Sequence, residues 1–258
     1  SFTSLKNDVN VARKIKKVVP EATIVGVGPP TSQFSEYMLS MGFDVVARYE
    51  YDWTLAELAE AIENRFDLKG VVGISYNLPG GKIVHNPDRP FSTSKELDRL
   101  PFVSKVYYKH LNICDYYLSS SLYPEVQILT SRGCPFRCTF CSWPQTFMGR
   151  IYRQRSVENV INELKWIKEN LKFVKEVVFE DDTFGVDRKW LKEFLWRLLE
   201  ENLDITWNCQ VRADLDFEIL NLMAKAGCRL VIVGFESANQ QILNNIKTVS
   251  YTHLTLPT

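Results

Sequence analysis

Apolar positions along this chain follow two rhythms in turn. Residues 55–66 carry Leu55, Leu58, Ala59, Ile62 and Phe66, the spacing of one helix face. Residues 9–19 and 32–41 are also read as helical. Between and after them lie short apolar runs with strand character, at 22–27, 43–47 and 71–75. This order predicts a parallel α/β arrangement. Residues 77–101 then turn polar and rich in proline and glycine, and read as a linker or extended wrap. Residues 107–123, rich in tyrosine and serine, carry no assignable pattern.

The alternation resumes at Glu125. A strand at 126–130 is followed by a helix that Ser156 caps, with Val157, Val160, Ile161, Leu164 and Ile167 on one face. A strand at 174–179 leads to a helix capped by Asp187. A strand at 205–211 leads to a helix that begins at Asp216 and that Gly227 terminates. A fourth strand at 230–235 precedes a helix starting near Gln240. No hairpin signal is read in this half, only a repeated strand–helix step.

Composition narrows the class. The 258 residues are 45% hydrophobic and 24% charged, which suits a globular protein. Lys+Arg and Asp+Glu are both 31, so no basic excess points to nucleic acid. The densest basic run, Arg13, Lys14, Lys16 and Lys17, reads as the wet face of a helix. No apolar run reaches the ~20 residues that span a bilayer, and no signal peptide is seen. A cytoplasmic protein is expected.

The last ten residues, VSYTHLTLPT, carry no period. They resemble the translation of an adapter used in DNA library preparation and are expected to be a cloning or assembly scar. The chain is then expected to be a fragment.

Three of the six cysteines fall within TSRGCPFRCTFCSWP, as Cys134, Cys138 and Cys141, directly after the strand at 126–130. Such clustering points to metal in a reducing compartment rather than to disulfides. Thiolates hold iron–sulfur clusters, and three ligands on a four-iron cube leave one iron open. The other reading is a zinc knuckle completed by Cys114, Cys209 or Cys228, which otherwise look like ordinary buried thiols.

The C-x3-C-x2-C spacing resembles the signature of the radical S-adenosylmethionine (SAM) superfamily. The resemblance implies a [4Fe–4S] cluster on Cys134, Cys138 and Cys141 that cleaves SAM to a 5′-deoxyadenosyl radical. Phe140 would pack on the adenine. Glu180, Asp181 and Asp182, in FEDDTF, stand where the superfamily contacts the SAM amino group, and which acid acts is open. Arg212 would bind the methionine carboxylate or make a surface ion pair. Glu236 and Ser237, in GFES, resemble the ribose- and methionine-contacting position, or form a turn and cap.

The runs ATIVGVGPPTS, DVVARYEYDWTLAELAEAI and GVVGISY resemble the second half of a cobalamin-binding domain, as found before the barrel in one branch of this superfamily. There Gly26, Gly28, Pro29 and Thr31 would form a loop for the nucleotide tail. No D-x-H-x-x-G motif is present, and His85 and His110 lack its context. The segment CSWPQTFMGRIYRQRS resembles the hopanoid ring-contraction, magnesium-protoporphyrin cyclase and phosphinate methylase groups, with Trp143, Gln145 and Arg153 on the substrate side or packed at the barrel's mouth.

The expected organisation is α/β: a partial Rossmann-like cobalamin-binding domain (1–88), a linker (89–124), a partial (β/α)6 radical SAM barrel (125–248) and the scar (249–258). The implied function is a radical SAM enzyme, cobalamin-associated, that methylates or rearranges an unactivated centre of a small-molecule or lipid-like substrate. An electron donor such as flavodoxin or ferredoxin would serve it. The fragment itself is expected to be inactive, and no catalytic acid or base is assigned. The alternatives are a radical methylthiotransferase acting on tRNA, for which no second cluster or basic module is visible, and a non-catalytic metal-binding scaffold.

Overall fold

The computed structural model describes residues 3–248. The expectation for 249–258 lies outside them. The chain divides into two compact units, one of residues 1–92 with 142–150, the other of 93–141 with 151–258.

In the first unit, α1 (Leu5–Val18) precedes β1 (Val25–Gly26), α2 (Pro29–Gln33), α3 (Ser35–Ser40), β2 (Val45–Ala47) and α4 (Asp52–Glu63). Then come β3 (Ile74–Asn77) and β4 (Ile83–His85). Successive strand residues face opposite sides of a sheet, and two apolar layers result. Val46 packs with Val9, Ala12, Met38, Leu39 and Phe43. Its neighbour Val45 packs with Leu58, Ala61, Val71, Ile74 and Tyr76. Arg13, Lys14 and Lys17 are exposed on α1, as the wet-face reading expected.

The parallel reading of this half needs correction. Only β1 and β2 are parallel; β3 runs antiparallel to β2, and β4 antiparallel to β3. The β3–β4 reversal lies inside the presumed linker. Gly80 and Gly81 both adopt positive φ, 91° and 84°, and Leu78 N donates to Lys82 O at 2.8 Å, closing a tight hairpin. The Gly-Gly pair was therefore a hairpin signal rather than a linker signal. The separate segment 142–150 contributes a π-helical turn at Pro144–Met148. Its Phe147 packs on Tyr51 and Trp143, with ring centroids 5.6 and 5.2 Å away.

The second unit opens with α5 (Ser94–Leu97), closed by a reciprocal cap between Thr93 and Glu96, and α6 (Val103–His110), which the sequence left unassigned. The parallel sheet follows: β5 (Glu125–Ile128), a ribbon of β6 (Ser131–Arg132) and β7 (Arg153–Gln154), α7 (Val157–Asn170), β8 (Glu176–Phe179), α8 (Arg188–Glu200), β9 (Trp207–Arg212), α9 (Phe217–Lys225), β10 (Cys228–Gly234) and α10 (Gln240–Asn245). The sheet order is β10-β9-β8-β5, all parallel, so each strand–helix step adds the next neighbour. Ser156, Asp187 and Asp216 accept hydrogen bonds from the first-turn amides of α7, α8 and α9, as expected. Phe179, Phe184, Phe194, Trp190 and Trp207 form the centre of the core. The β6–β7 ribbon was not foreseen.

Candidate functional site

In a parallel sheet the carboxyl ends of the strands lie at one edge, where such folds place their chemistry. At this edge the loop after β5 carries Cys134, Cys138 and Cys141. All three are free thiols and half-buried. Among the described residues no three Cys, His, Asp or Glu side chains close on one point tightly enough for a single metal ion.

The acids after β8 divide their work. Asp181 is buried, 2% exposed. Its Oδ1 accepts from Thr130 N at 2.6 Å, and its Oδ2 accepts from the hydroxyls of Thr130 and of Ser131, the latter at 2.6 Å. Burial pushes the Asp181 carboxyl up, and these bonds draw it partly back. Asp182 Oδ2 accepts from Gly133 N at 2.9 Å, and Thr183 Oγ1 lies 3.6 Å from Cys134 Sγ. Asp181 and Asp182 thus hold the backbone that leads into the cysteines, and Thr183 meets the Cys134 side chain.

Glu180 is different. It is half-buried, and among the described residues its carboxylate has no hydrogen-bond or ion-pair partner. Burial pushes its carboxyl up, and the neighbouring Asp181 adds to the shift. The geometry leaves Glu180 as the acid with acceptor capacity to offer a ligand.

Arg212 ends β9. Its guanidinium carbon lies over the Phe136 ring, 3.6 Å from the centroid, and Nη1 reaches Cys138 Sγ at 3.8 Å. Nε faces Asp214 Oδ2 at 3.5 Å, so the ion pair foreseen for this arginine is present too. The loop is tied at its far side. Thr139 N donates to Ile246 O at 3.0 Å, and the Cys138 thiol donates to Thr248 Oγ1 at 3.5 Å. Phe140 is exposed. Glu236 is exposed with φ 55°, and Ser237 Oγ accepts from Asn239 N at 3.1 Å, which is turn geometry. Arg153 is buried, its Nε on Ile151 O at 2.9 Å, whereas Trp143 and Gln145 are exposed.

The remaining cysteines need a correction. Only Cys209 is fully buried, where burial pushes its thiol up; Cys228 is half-buried and Cys114 exposed. Sequence reasoning also missed Thr130, Ser131 and Thr183, whose role appears only once β5 and β8 are paired.

The first unit has its own candidate. A cleft of about 690 Å³ is lined by Ser32 to Tyr37, Arg48, Tyr49 and His85 to Asp88. It lies at the carboxyl ends of β2 and β4, beside the helix that follows β1. Arg48 is held by Asp88 Oδ1 at 2.7 Å and by Ser75 and Asn86. His85 lines the cleft, with Nδ1 at 2.8 Å from Ser75 Oγ and Nε2 at 3.4 Å from Glu36. Of the loop residues, Gly28 has open space where a Cβ would stand. Gly26 is packed among Phe43, Thr31 and Val46. Pro29 opens α2. Thr31 is fully buried, and its hydroxyl is spent on Gly28 O and Ala47 O, both at 2.7 Å. It shapes the loop and presents nothing to a ligand.

Comparison with known proteins agrees with this architecture. The family described as the radical SAM superfamily matches residues 128–254. The chain is 34% identical over 248 residues to an uncharacterized methyltransferase of Pyrococcus horikoshii, covering 95% of this chain and 52% of that protein. It is 28% identical over 248 residues to hopanoid C-3 methylase of Methylococcus capsulatus, covering 93% and 44%. The fold matches the radical SAM methyltransferase TsrM of Kitasatospora setae, solved with cobalamin and a [4Fe–4S] cluster bound. There the TM-score is 0.73 at 20% identity, covering 98% of this chain and 48% of that one. The chain spans about half the length of the curated relatives it matches.

Proposed function

Because this chain belongs to the radical SAM superfamily, we propose that it is part of a cobalamin-associated radical SAM enzyme that methylates or rearranges an unactivated centre. One observation carries the reading. Three free thiols share the loop after β5, and the ends of β8 and β9 bring Glu180 and Arg212 to the same edge.

The donor set suits a cluster. The thiols are in no disulfide, half-buried, and supported by a hydroxyl and a guanidinium. Cys134, Cys138 and Cys141 would hold it, and a four-iron cluster so held supplies the electron that cleaves a carbon–sulfur bond of SAM. Glu180 would accept from the SAM ammonium by a charge-assisted hydrogen bond. Asp181 and Asp182 keep the cysteine loop in place. Phe140, Glu236 and Ser237 remain assigned to the nucleoside side by resemblance.

The cleft of the first unit suits a corrinoid by its position at strand carboxyl ends, and Gly28, on the loop after β1, has open space at its Cβ position. We assign Gly28 and Pro29 to that contact, and Gly26 and Thr31 to shaping the loop. The substrate is a small or lipid-like molecule, and a flavodoxin- or ferredoxin-like protein would deliver the electron. Among the described residues no helix is long and apolar enough to cross a membrane. Six cysteines without a disulfide suit the cytoplasm.

Anaerobic reconstitution with ferrous iron and sulfide tests the reading. Four irons and four sulfides per chain are expected, lost in Cys134→Ala, Cys138→Ala and Cys141→Ala. One bound zinc without sulfide would overturn it. Retention of cobalamin, read by absorbance after gel filtration, tests the corrinoid assignment, and no retention would remove it.

A further inference from the structure

Neighbouring strand ends bring Thr183 to the Cys134 sulfur and Arg212 to the Cys138 sulfur. Thr183, after β8, places Oγ1 3.6 Å from Cys134 Sγ, and it is buried, 9% exposed. Arg212, at the end of β9, places Nη1 3.8 Å from Cys138 Sγ. Both are geometrically fixed. Thr183 follows two acids clamped to the backbone of 130–133. The guanidinium carbon sits 3.6 Å from the Phe136 ring centroid, two residues before Cys138, and Asp214 faces the Nε at 3.5 Å as a charge, without a hydrogen bond.

We infer that Thr183 and Arg212 are positioning residues that set the reduction potential of the cluster by acting on the sulfurs of Cys134 and Cys138. The inference rests on the cluster assignment above. Hydrogen bonds to ligating sulfur, net charge and solvent exposure set the potential of such clusters. Adding one electron makes the cluster and its thiolates more negative. A hydroxyl or guanidinium donating to sulfur favours that reduced form and raises the potential. Arg212 brings a full positive charge and Thr183 a dipole, so Arg212 has the larger effect. In the structure the Thr183 hydroxyl gives its one proton to Asp182 O at 2.6 Å and faces Cys134 with a lone pair. While Cys134 carries its proton, the thiol can donate to Thr183. Once sulfur is a thiolate, the hydroxyl must turn towards it, and Asp182 O loses its donor.

This arrangement makes the Cys134 and Cys138 sulfurs unequal. Cys134 receives a neutral donor. Cys138 receives a cation and adjoins the Thr248 hydroxyl, 3.5 Å away. Of these two the local field is stronger at Cys138, and substitutions around it should move the potential more than those around Cys134.

The test is a potentiometric titration of the 258-residue chain, reconstituted anaerobically with iron and sulfide and followed by electron paramagnetic resonance of the reduced cluster. Arg212→Gln should shift the midpoint furthest to negative values, and Arg212→Lys, which keeps the charge, should recover most of the shift. Thr183→Val should give a smaller negative shift, and Thr183→Ser should restore the original value. Iron and sulfide per chain should stay unchanged in all four. If Arg212→Gln fails to load, the Thr183 pair decides the matter alone. Loaded variants with the midpoint of the original chain overturn this inference and leave the cluster assignment standing. An original chain that takes up no sulfide overturns both.

Discussion

Two loops leave strand ends in this molecule, and they are held by opposite chemistry. After β1, the loop at Gly28 closes on a neutral group, the buried Thr31 hydroxyl shared between two carbonyls. After β5, the loop closes on carboxylates, with Asp181 taking one amide and two hydroxyls and Asp182 taking Gly133 N. A hydroxyl has one proton to give, so it fixes one turn. A carboxylate accepts several donors at once and can organise a stretch of backbone. The difference matches the demands on each loop: one has to leave room, the other has to hold three sulfurs at set positions.

The comparison breaks most readily at Asp181. Asp181→Ala strands a buried amide and two hydroxyls, and should cost about 3 kcal/mol of unfolding free energy, read by urea titration. Thr31→Val removes one buried hydroxyl and should cost about 1.5 kcal/mol in the same assay. Equal losses would erase the distinction between the two loops.

The pH response sharpens the contrast. Burial raises the Asp181 carboxyl in the folded chain. Between the ordinary carboxylate value and the raised one, the folded chain keeps a proton that the unfolded chain has released. This contribution to stability is full at low pH and falls as pH rises through the raised value, at under about 1.4 kcal/mol per pH unit. Asp181→Asn should flatten that slope, measured as unfolding midpoint against pH, whereas Thr31→Val should leave it alone. The smallest effect belongs to Asp182→Asn. It keeps an acceptor for Gly133 N and weakens that bond by its charge assistance, about 0.5 kcal/mol. A loss as large as that of Asp181→Ala would show that charge, and not burial, sets the strength of the clamp.

The second unit was far more legible in the sequence than the first, for a physical reason. Its parallel strands are separated by full helices, and each helix announces itself by a stripe and a capping residue such as Ser156 or Asp187. The strands of the first unit are two to four residues long, too short to carry direction in their pattern. The direction of β4 was decided by the Gly80–Gly81 hairpin, which read as linker. The cysteines were legible because their spacing is a covalent fact. The separation of Glu180 from Asp181 and Asp182 was not, since three adjacent acids look alike until one is buried under Thr130 and Ser131. Buried acids elsewhere misled in the same way. Glu163 is fully buried against Ser104 and Arg155, and Glu176 against Arg229, and composition alone would put both in water.

The short ribbon of β6 and β7 has a consequence for how such a chain can change over time. Ser131–Arg132 and Arg153–Gln154 pair across the base of everything between them. The intervening stretch is therefore a loop whose ends are already joined, and the entropy of closing it grows only with the logarithm of its length. Doubling that length costs about 0.6 kcal/mol. Closure entropy leaves the length after Cys141 nearly free outside the buried Pro144, Thr146 and Met148, while the stretch from Cys134 to Cys141 is bound by its spacing. The ribbon works as a buckle: it lets one part of the strap be re-cut while the other stays at a fixed hole.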